Sequence, residues 1–589
     1  MKKDPARNST DPAEIEALII RLERGQLLHC PVSSRRKMMN SFFQQWIFLL
    51  LLLSCPRFVQ AQSVIHYDVR TFGAKGDGQT LDTEAINKAI EATAAKGGGA
   101  VYFPAGAYLS FSIRLKSNIA LYLDAGATLI AADPNQHKGK YDLPEPNEWD
   151  MYQDFGHSHW QNSLIWGIGL ENVSILGPGR IDGTKGLTRR GPGPRAEARA
   201  GDSPNSLGGG RPDNRPQTPL GEGAQRNPNN SMEGQGNKAI GLKLCRNVTL
   251  RDFSILNGGH FALLATGVDN LTIDNVRIDT NRDGFDIDSC RNVRISNCSV
   301  NAPNDDAIVL KSSYALGVAR ATERVTITNC QVTGYDLGSF FDGTFKRTQQ
   351  QAPDRDGVTG RIKFGTESNG GFKNITIANC VFDRSRGLAL ETVDGGLIED
   401  ITINNITMRD VTTAPIFLRL GSRMRGPKEI PIGAIRRVNI SNVIVSDAEA
   451  KFASLIVGLP GHPIEDVKLS NIRILYRGGG TKEDAEVEPA EHENNYPEPS
   501  MFGTVPAYGF YMRHVKGLEI HDVEVSFVKD DLRPPFVLDD VKDVDLRGIK
   551  AQRGSAAPMF VLKNVEDFSV SQSKGVPDTR LERVDLKRF

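Results

Sequence analysis

Cysteine is scarce in this chain: seven in 589 residues, of which Cys245, Cys290, Cys298, Cys330 and Cys380 lie beyond the N-terminal leader. An odd, sparse set excludes a small disulfide scaffold, and no Cys-x-x-Cys or Cys/His spacing offers a zinc site. Net charge is missing too, since 71 basic residues balance 71 acidic ones. A neutral chain exerts no general pull on nucleic acid, so any hold on an acidic polymer must be local. The apolar run Trp46 to Leu53 has eight residues, well short of the roughly 20 that a spanning helix needs.

That run follows Arg35, Arg36, Lys37, Met38 and Met39 and precedes the small-residue site Val59-Gln60-Ala61. The order is that of a signal peptide, with translation expected to start at Met38 or Met39. Residues 1–62 are therefore read as a leader, and 63–589 as one domain that is secreted or periplasmic. Leu52-Leu53-Ser54-Cys55 also has the form of a lipoprotein box, although Pro56 follows the Cys directly.

What the chain does have is a repeat. NVSI at Asn172, NVTL at Asn247, NLTI at Asn270, NVRI at Asn292, RVTI at Arg324, NITI at Asn374, DITI at Asp400, RVNI at Arg437, DVKL at Asp466, DVDL at Asp543 and DFSV at Asp567 share one form. A polar turn residue precedes alternating apolar and polar positions, the pattern of a strand with one buried face. The steps from Asn247 to Asn270 and from Asn270 to Asn292 are nearly equal. A near-constant step of that size predicts coils of a right-handed parallel β-helix, an all-β solenoid. Three cysteines recur in one setting, as NCSV, NCQV and NCVF, which predicts stacked core thiols rather than ligands. Ahead of the repeat, Asp82 or Thr83 can cap a helix with Ile86, Ala89, Ile90 and Thr93 on one face, ended by Gly97 to Gly99. Such a helix can cover the open end of the stack.

The chemistry lies between Asn281 and Ser312, in NRDGFDIDSC and NAPNDDAIVLKS. Setting Asp306 one coil from Asp283, so that the two stack, puts Phe285 over Ile308 and Ile287 over Leu310. Neighbouring parallel strands are about 4.8 Å apart, so Asp283, Asp305 and Asp306 would meet in one patch. Carboxylates that close cannot all ionise freely, which leaves an acid beside a base. Glycosidic hydrolysis without a metal needs that pair. Asp beside Asn, Gly and Pro also marks ordinary turns.

With these residues the chain resembles glycoside hydrolase family 28, the polygalacturonase and rhamnogalacturonase family. The likeness covers roughly Ile65 to the C-terminus in architecture and implies a pectin-degrading, inverting glycosidase. By motif position it makes Asp305 the general acid and Asp283 and Asp306 the holders of the attacking water. Arg282 stands where the family's Asn-Thr-Asp-Gly motif has Thr. At the place of the Gly-His-Gly motif the chain reads Val358-Thr359-Gly360, and Glu391 stands near the Lys of the Arg-x-Lys motif.

Strand parity points Asp286, Asp288, Lys311, Arg361, Lys363, Glu391 and Arg419 outward, with Ile362 and Phe364 in the core. Basic residues on successive coils predict a stripe able to hold uronate carboxylates. Substrate contacts are thus expected from His260, Asp286, Lys311, Arg361, Lys363 and Glu391, with His260 one coil above Asp283. Asp142 to Trp166 holds His157, His159, Trp160 and Trp166, read as packing. The Gly/Pro/Asn/Arg-rich stretch at about 185–237 reads as a flexible insertion, and the loop at about 476–508 as a rim of the cleft. No metal, cofactor or nucleic acid is expected, and a monomer is. The resemblance leaves open a rhamnogalacturonan or xylogalacturonan hydrolase on the same site beside a polygalacturonase, and two other classes fit the same scaffold: a Ca²⁺-dependent polysaccharide lyase using the Asp cluster with Lys311 or Arg361 as base, and a noncatalytic glycan-binding β-helix.

Overall fold

The computed structural model describes residues 66–154, 156–188, 234–555 and 557–589. The leader and most of the expected insertion lie outside the described residues. From residue 66 on, each coil lays down up to three short strands, and each strand pairs in parallel with its counterpart one coil away. The result is the expected parallel β-helix.

Its N-terminal end is covered by α1 (Thr83–Ala95), which buries Ile86, Ala89, Ile90 and Thr93, the face read from the sequence. Asp82 precedes the helix but does not cap it with its side chain. Its carboxylate instead accepts from Lys75 N at 2.7 Å and Gly76 N at 3.0 Å, tying the incoming chain down. The C-terminal end is covered as well. The last strand, Thr579–Arg588, turns back antiparallel to Phe560–Ser571 and covers the final coil.

One face of the solenoid carries β1 (Lys238–Lys243), β2 (Phe261–Thr266), β3 (Asp283–Asp288), β4 (Ile308–Ser312), β5 (Ile362–Ser368), β6 (Leu388–Thr392), β7 (Ile416–Leu420) and β8 (Ser454–Val457) in register. Phe285 pairs with Ile308 and Ile287 with Leu310, the register set by the step from Asp283 to Asp306. Inside, Phe285, Ile287, Ile308, Leu310, Ile362, Phe364, Leu388 and Leu390 form one continuous core. Cys298, Cys330 and Cys380 are buried free thiols in that core, as their recurrence predicts.

The polar residue that opens each repeat has a backbone reason. All eleven positions, from Asn172 to Asp567, have positive φ, between 47° and 60°. A left-handed residue turns the coil corner, and Asn and Asp tolerate it best after Gly. On five consecutive corners the side chains also bond each other. The Nδ2 groups of Asn172, Asn247, Asn270 and Asn292 donate to the Oδ1 atoms of Asn118, Asn172, Asn247 and Asn270 at 2.8, 2.9, 2.8 and 2.7 Å.

The ladder predicts a graded cost at its centre. Asn270→Val combines a β-branched residue in the left-handed region with two lost rungs, and should lower stability by about 2–3 kcal/mol; Asn270→Gly, which relieves the backbone, should cost about 1 kcal/mol. Urea midpoints measure both. Equal shifts for the two variants would contradict a conformational role for the corner.

Candidate active site

The heads of β3 and β4 bring the three acids together. Asp306 N donates to Asp283 Oδ1 at 3.2 Å, and Gly284 N donates to Asp306 O at 3.0 Å. One oxygen from each of Asp283, Asp305 and Asp306 lies within 4.8 Å of the others. Gly284 makes this approach possible, because a Cβ there would stand 2.4 Å from Ala307 O and from Val300 Cγ1. Asp283 and Asp306 are nearly buried, whereas the Asp305 side chain is 23 % exposed and faces solvent at the mouth. Gly360 N donates to Asp305 O at 3.0 Å, so Val358-Thr359-Gly360 does back the pair, without a His.

Charge in this trio is unequal. Burial, followed by the Asp305 carboxylate, pushes Asp283 well above the ordinary range, against Lys311 and Arg282. For Asp305 burial acts upward as well, but the Arg282 guanidinium, then Lys311 and Lys363, outweigh it and hold the group low. Arg282 is ion-paired to Asp305, and its buried Nε has no hydrogen-bond partner. As the side chains stand, Asp283 takes up a proton more readily than Asp305, the residue that motif position makes the acid. The residue that replaces the family's Thr sets this order.

The outward residues expected to touch substrate are mostly covered. Asp286 and Lys311 lie beneath the 142–166 segment: His157 Nε2 is 3.2 Å from Asp286 Oδ2 and 2.6 Å from Lys311 Nζ, and Lys311 Nζ donates to Glu367 Oε2 at 3.1 Å. They form a buried ionic knot supporting Asp283 rather than a sugar-facing surface. Trp160, fully buried against Phe261 and Leu264, is packing as read. His260 misses its expected place by one position, because Phe261 is the residue that pairs with Asp283. The coil from β2 to β3 is one residue shorter than the coil from β3 to β4. His260 therefore aligns before Asp283 and packs on Phe261 and His157, with ring centroids 4.4 and 6.2 Å away.

Arg361 and Lys363 also fail to form an open basic stripe. Each is 2 % exposed or less. Arg361 Nε donates to Asp306 Oδ1 at 2.6 Å, while its two terminal nitrogens donate to Glu498 at 2.9 and 2.6 Å. Lys363 Nζ lies 3.3 Å from Glu391 Oε2 and 3.8 Å from Asp306 Oδ2. Glu391 is fully buried with neither carboxylate oxygen hydrogen-bonded, and burial, opposed by Lys363 and Arg361, pushes it up to about 7. Arg419 binds the carbonyls of Gly458, Glu491 and His492. The segment between Gly478 and Phe510 supplies the partner of Arg361's two terminal nitrogens and most of the partners of Arg419, and it brings Glu498 and the half-exposed Tyr496 to the site. Sequence reading places that loop on the rim but singles out neither residue, nor Arg282, His157 or Glu367 as partners of the acids. A Tyr-Pro-Glu-Pro run in an otherwise polar loop is the available signal.

The comparisons agree with a parallel β-helix. Residues 67–146 match the family "Rhamnogalacturonase A/epimerase, pectate lyase-like", and residues 223–345 match "Right handed beta helix region". A probable polygalacturonase of Vitis vinifera is 24 % identical over 460 residues, 74 % of this chain and 80 % of that one. An exo-poly-α-D-galacturonosidase of Dickeya chrysanthemi is 34 % identical over 121 residues, 20 % of this chain and 19 % of that one. The family 28 exopolygalacturonase structure from Yersinia enterocolitica superposes with a TM-score of 0.56 at 21 % identity, covering 82 % of this chain and 78 % of that one. The chain is a right-handed parallel β-helix, similar in sequence to proteins named as polygalacturonases.

The charges make two outcomes measurable. Arg282→Gln removes the cation nearest Asp305, so the Asp305 carboxyl should titrate at higher pH than in the wild type, read by carbon NMR of labelled Asp; an unmoved titration would show that Arg282 does not set the proton's place. Glu391 has a folded-state value of about 7 above its ordinary 4.5. Its contribution to stability is therefore complete below 4.5 and lost as pH rises through 7. Glu391→Gln should gain in melting temperature over the wild type at pH 8 relative to pH 5, and a constant difference between the two pH values would contradict this.

Proposed function

We propose that the chain hydrolyses glycosidic bonds in a galacturonate-containing pectic polysaccharide, with Asp283, Asp305 and Asp306 as its acid/base set and inversion at the anomeric carbon. The observation that carries this reading is the clustering of three carboxylates at the mouth, with proton affinity raised at Asp283 and lowered at Asp305. A protonated carboxyl can deliver its proton to the leaving oxygen, and an ionised one can accept a proton from water. With Asp283 and Asp305 sharing a proton, substrate that draws Arg282 away would let it pass to Asp305, the only partly exposed acid of the three. The kinship with proteins named as polygalacturonases supports the pectic substrate.

The cluster is tighter than the roughly 6.5–9.5 Å separating acid and base in most inverting glycosidases. The acid would therefore reach the leaving oxygen from one edge of the cluster, while water held at its other edge attacks the opposite face of the anomeric carbon. A lyase needs a base free to reach the proton beside the uronate carboxylate, and Lys311 and Arg361 are buried in ion pairs. Their burial favours hydrolysis. Secretion through the N-terminal leader completes the proposal, since pectic polymers are extracellular substrates.

Purified protein on a panel of pectic polymers should release reducing sugar with the anomeric configuration inverted, followed by proton NMR in the first minutes. Asp283→Asn and Asp305→Asn should each lower kcat by about 10³-fold or more. Retention of configuration, an ultraviolet-absorbing unsaturated product abolished by chelator, or near-normal turnover in both variants overturns the assignment.

A further inference from the structure

Beside Asp306, three cations converge on a carboxylate that belongs to the protein itself. The Arg361 fork grips Glu498 through two hydrogen bonds of 2.9 and 2.6 Å, Arg386 Nη1 lies 3.4 Å from Glu498 Oε2, and Lys363 Nζ lies 4.0 Å from Oε1. A guanidinium fork meets any planar carboxylate in this way, whether it comes from Glu or from C6 of a uronate. Arg361 is at once bonded to Asp306 at 2.6 Å, so the nest adjoins the acid cluster directly.

No positive charge is left over there. Arg361, Lys363 and Arg386 face Asp306, Glu391, Glu498 and Asp354, the last held by Arg386 through two bonds of 2.7 Å. A substrate carboxylate arriving at this place would meet Glu498 as a like charge in a poorly hydrated pocket, which is unfavourable. The position read as the family's Lys is itself acidic. Tyr496, two residues before Glu498, offers a face that is 46 % exposed, with its ring centroid 5.2 Å from Lys363 Nζ. An aromatic face receives the C–H side of a sugar ring and needs no charge from it.

We infer that Glu498 is a specificity-determining residue, a built-in carboxylate that fills the cation nest beside Asp306 so that the sugar received there is neutral. The backbone cut would then join galacturonate to a neutral sugar, and a homopolymer of uronates would be disfavoured. This rests on the pectic-hydrolase reading for its substrate, but its binding test does not need turnover.

Wild type, Glu498→Gln, Glu498→Ala and Glu498→Asp are titrated calorimetrically with oligogalacturonate and with an oligosaccharide alternating galacturonate and rhamnose, and assayed on the matching polymers. The wild type should bind the alternating ligand about tenfold more tightly, and Glu498→Gln and Glu498→Ala should close that gap through tighter binding of oligogalacturonate, with KM for the uronate polymer falling relative to KM for the alternating one. Glu498→Asp keeps the carboxylate and should keep the wild-type order. Equal binding of both ligands by the wild type, or a gap unchanged in folded Glu498→Gln, overturns the inference. Should Glu498→Gln fail to fold, inhibition of the wild type by free galacturonate as strongly as by a neutral sugar would overturn it alone. Failure of hydrolysis is separate: no reducing sugar from either polymer, whatever the binding order.

Discussion

The structure depends on one constraint, that each turn of the chain returns to the same place after nearly the same number of residues. Backbone pairing between coils fixes the spacing, and the inward file of Phe285, Ile308, Ile362 and Leu388 fixes the register, since a slip of one residue would send every apolar side chain out to water. Corners held in the left-handed region by Asn and Asp keep the turns superimposable, and the asparagine ladder adds a polar seam on the outside. Function is a by-product of this regularity. Two acids a full coil apart in the chain become neighbours because everything around them has been stacked.

That constraint also explains which features were legible in the sequence. The fold, the capping helix, the stacked thiols and the pairing of Asp283 with Asp306 all follow from local periodicity, and periodicity is visible in one dimension. His260 shows the limit: a coil shorter by a single residue moves it off the acid, and the sequence carries no mark of which step applies. The larger failures, Lys311, Arg361, Lys363 and Asp286 as open substrate contacts, share another cause. Parity tells which way a side chain leaves the strand but not what lies over it. Here the cover comes from segments far away in the chain, around His157 and Glu498, whose docking no repeat encodes.

Those covers change the electrostatics of the face. Left open, Lys311, Arg361, Lys363 and Arg419 would form a basic stripe well suited to a polyanion. Closed, each is matched by a buried partner: Lys311 by Glu367 and Asp286, Arg361 by Glu498 and Asp306, Lys363 by Glu391, and Arg419 by backbone carbonyls. Burying such ions costs several kcal/mol apiece unless partners are well placed, so the pairing is a condition of folding the loops down at all. Glu391, with no hydrogen bond to either oxygen and a raised proton affinity, is where the matching is least complete.

The same accounting bears on why Arg282 stands where it does. With the coils around Asp306 locked in compensated pairs, the mouth has little charge to spare, and Arg282 on Asp305 and Arg425 on Asp154 are the partly exposed cations beside it. A Thr at 282 would leave Asp305 and Asp283 to repel each other across a small gap, and Asp305 would rise with its neighbour. An Arg separates them, holding one ionised and leaving the proton on the other. Because its grip is a single, partly exposed ion pair at the entrance, it is also the contact a uronate carboxylate can most readily compete for. In the proposed reaction the order of the acids is then set by one side chain at the entrance, while the neighbouring nest, already filled by Glu498, bears on which sugar is received beside Asp306.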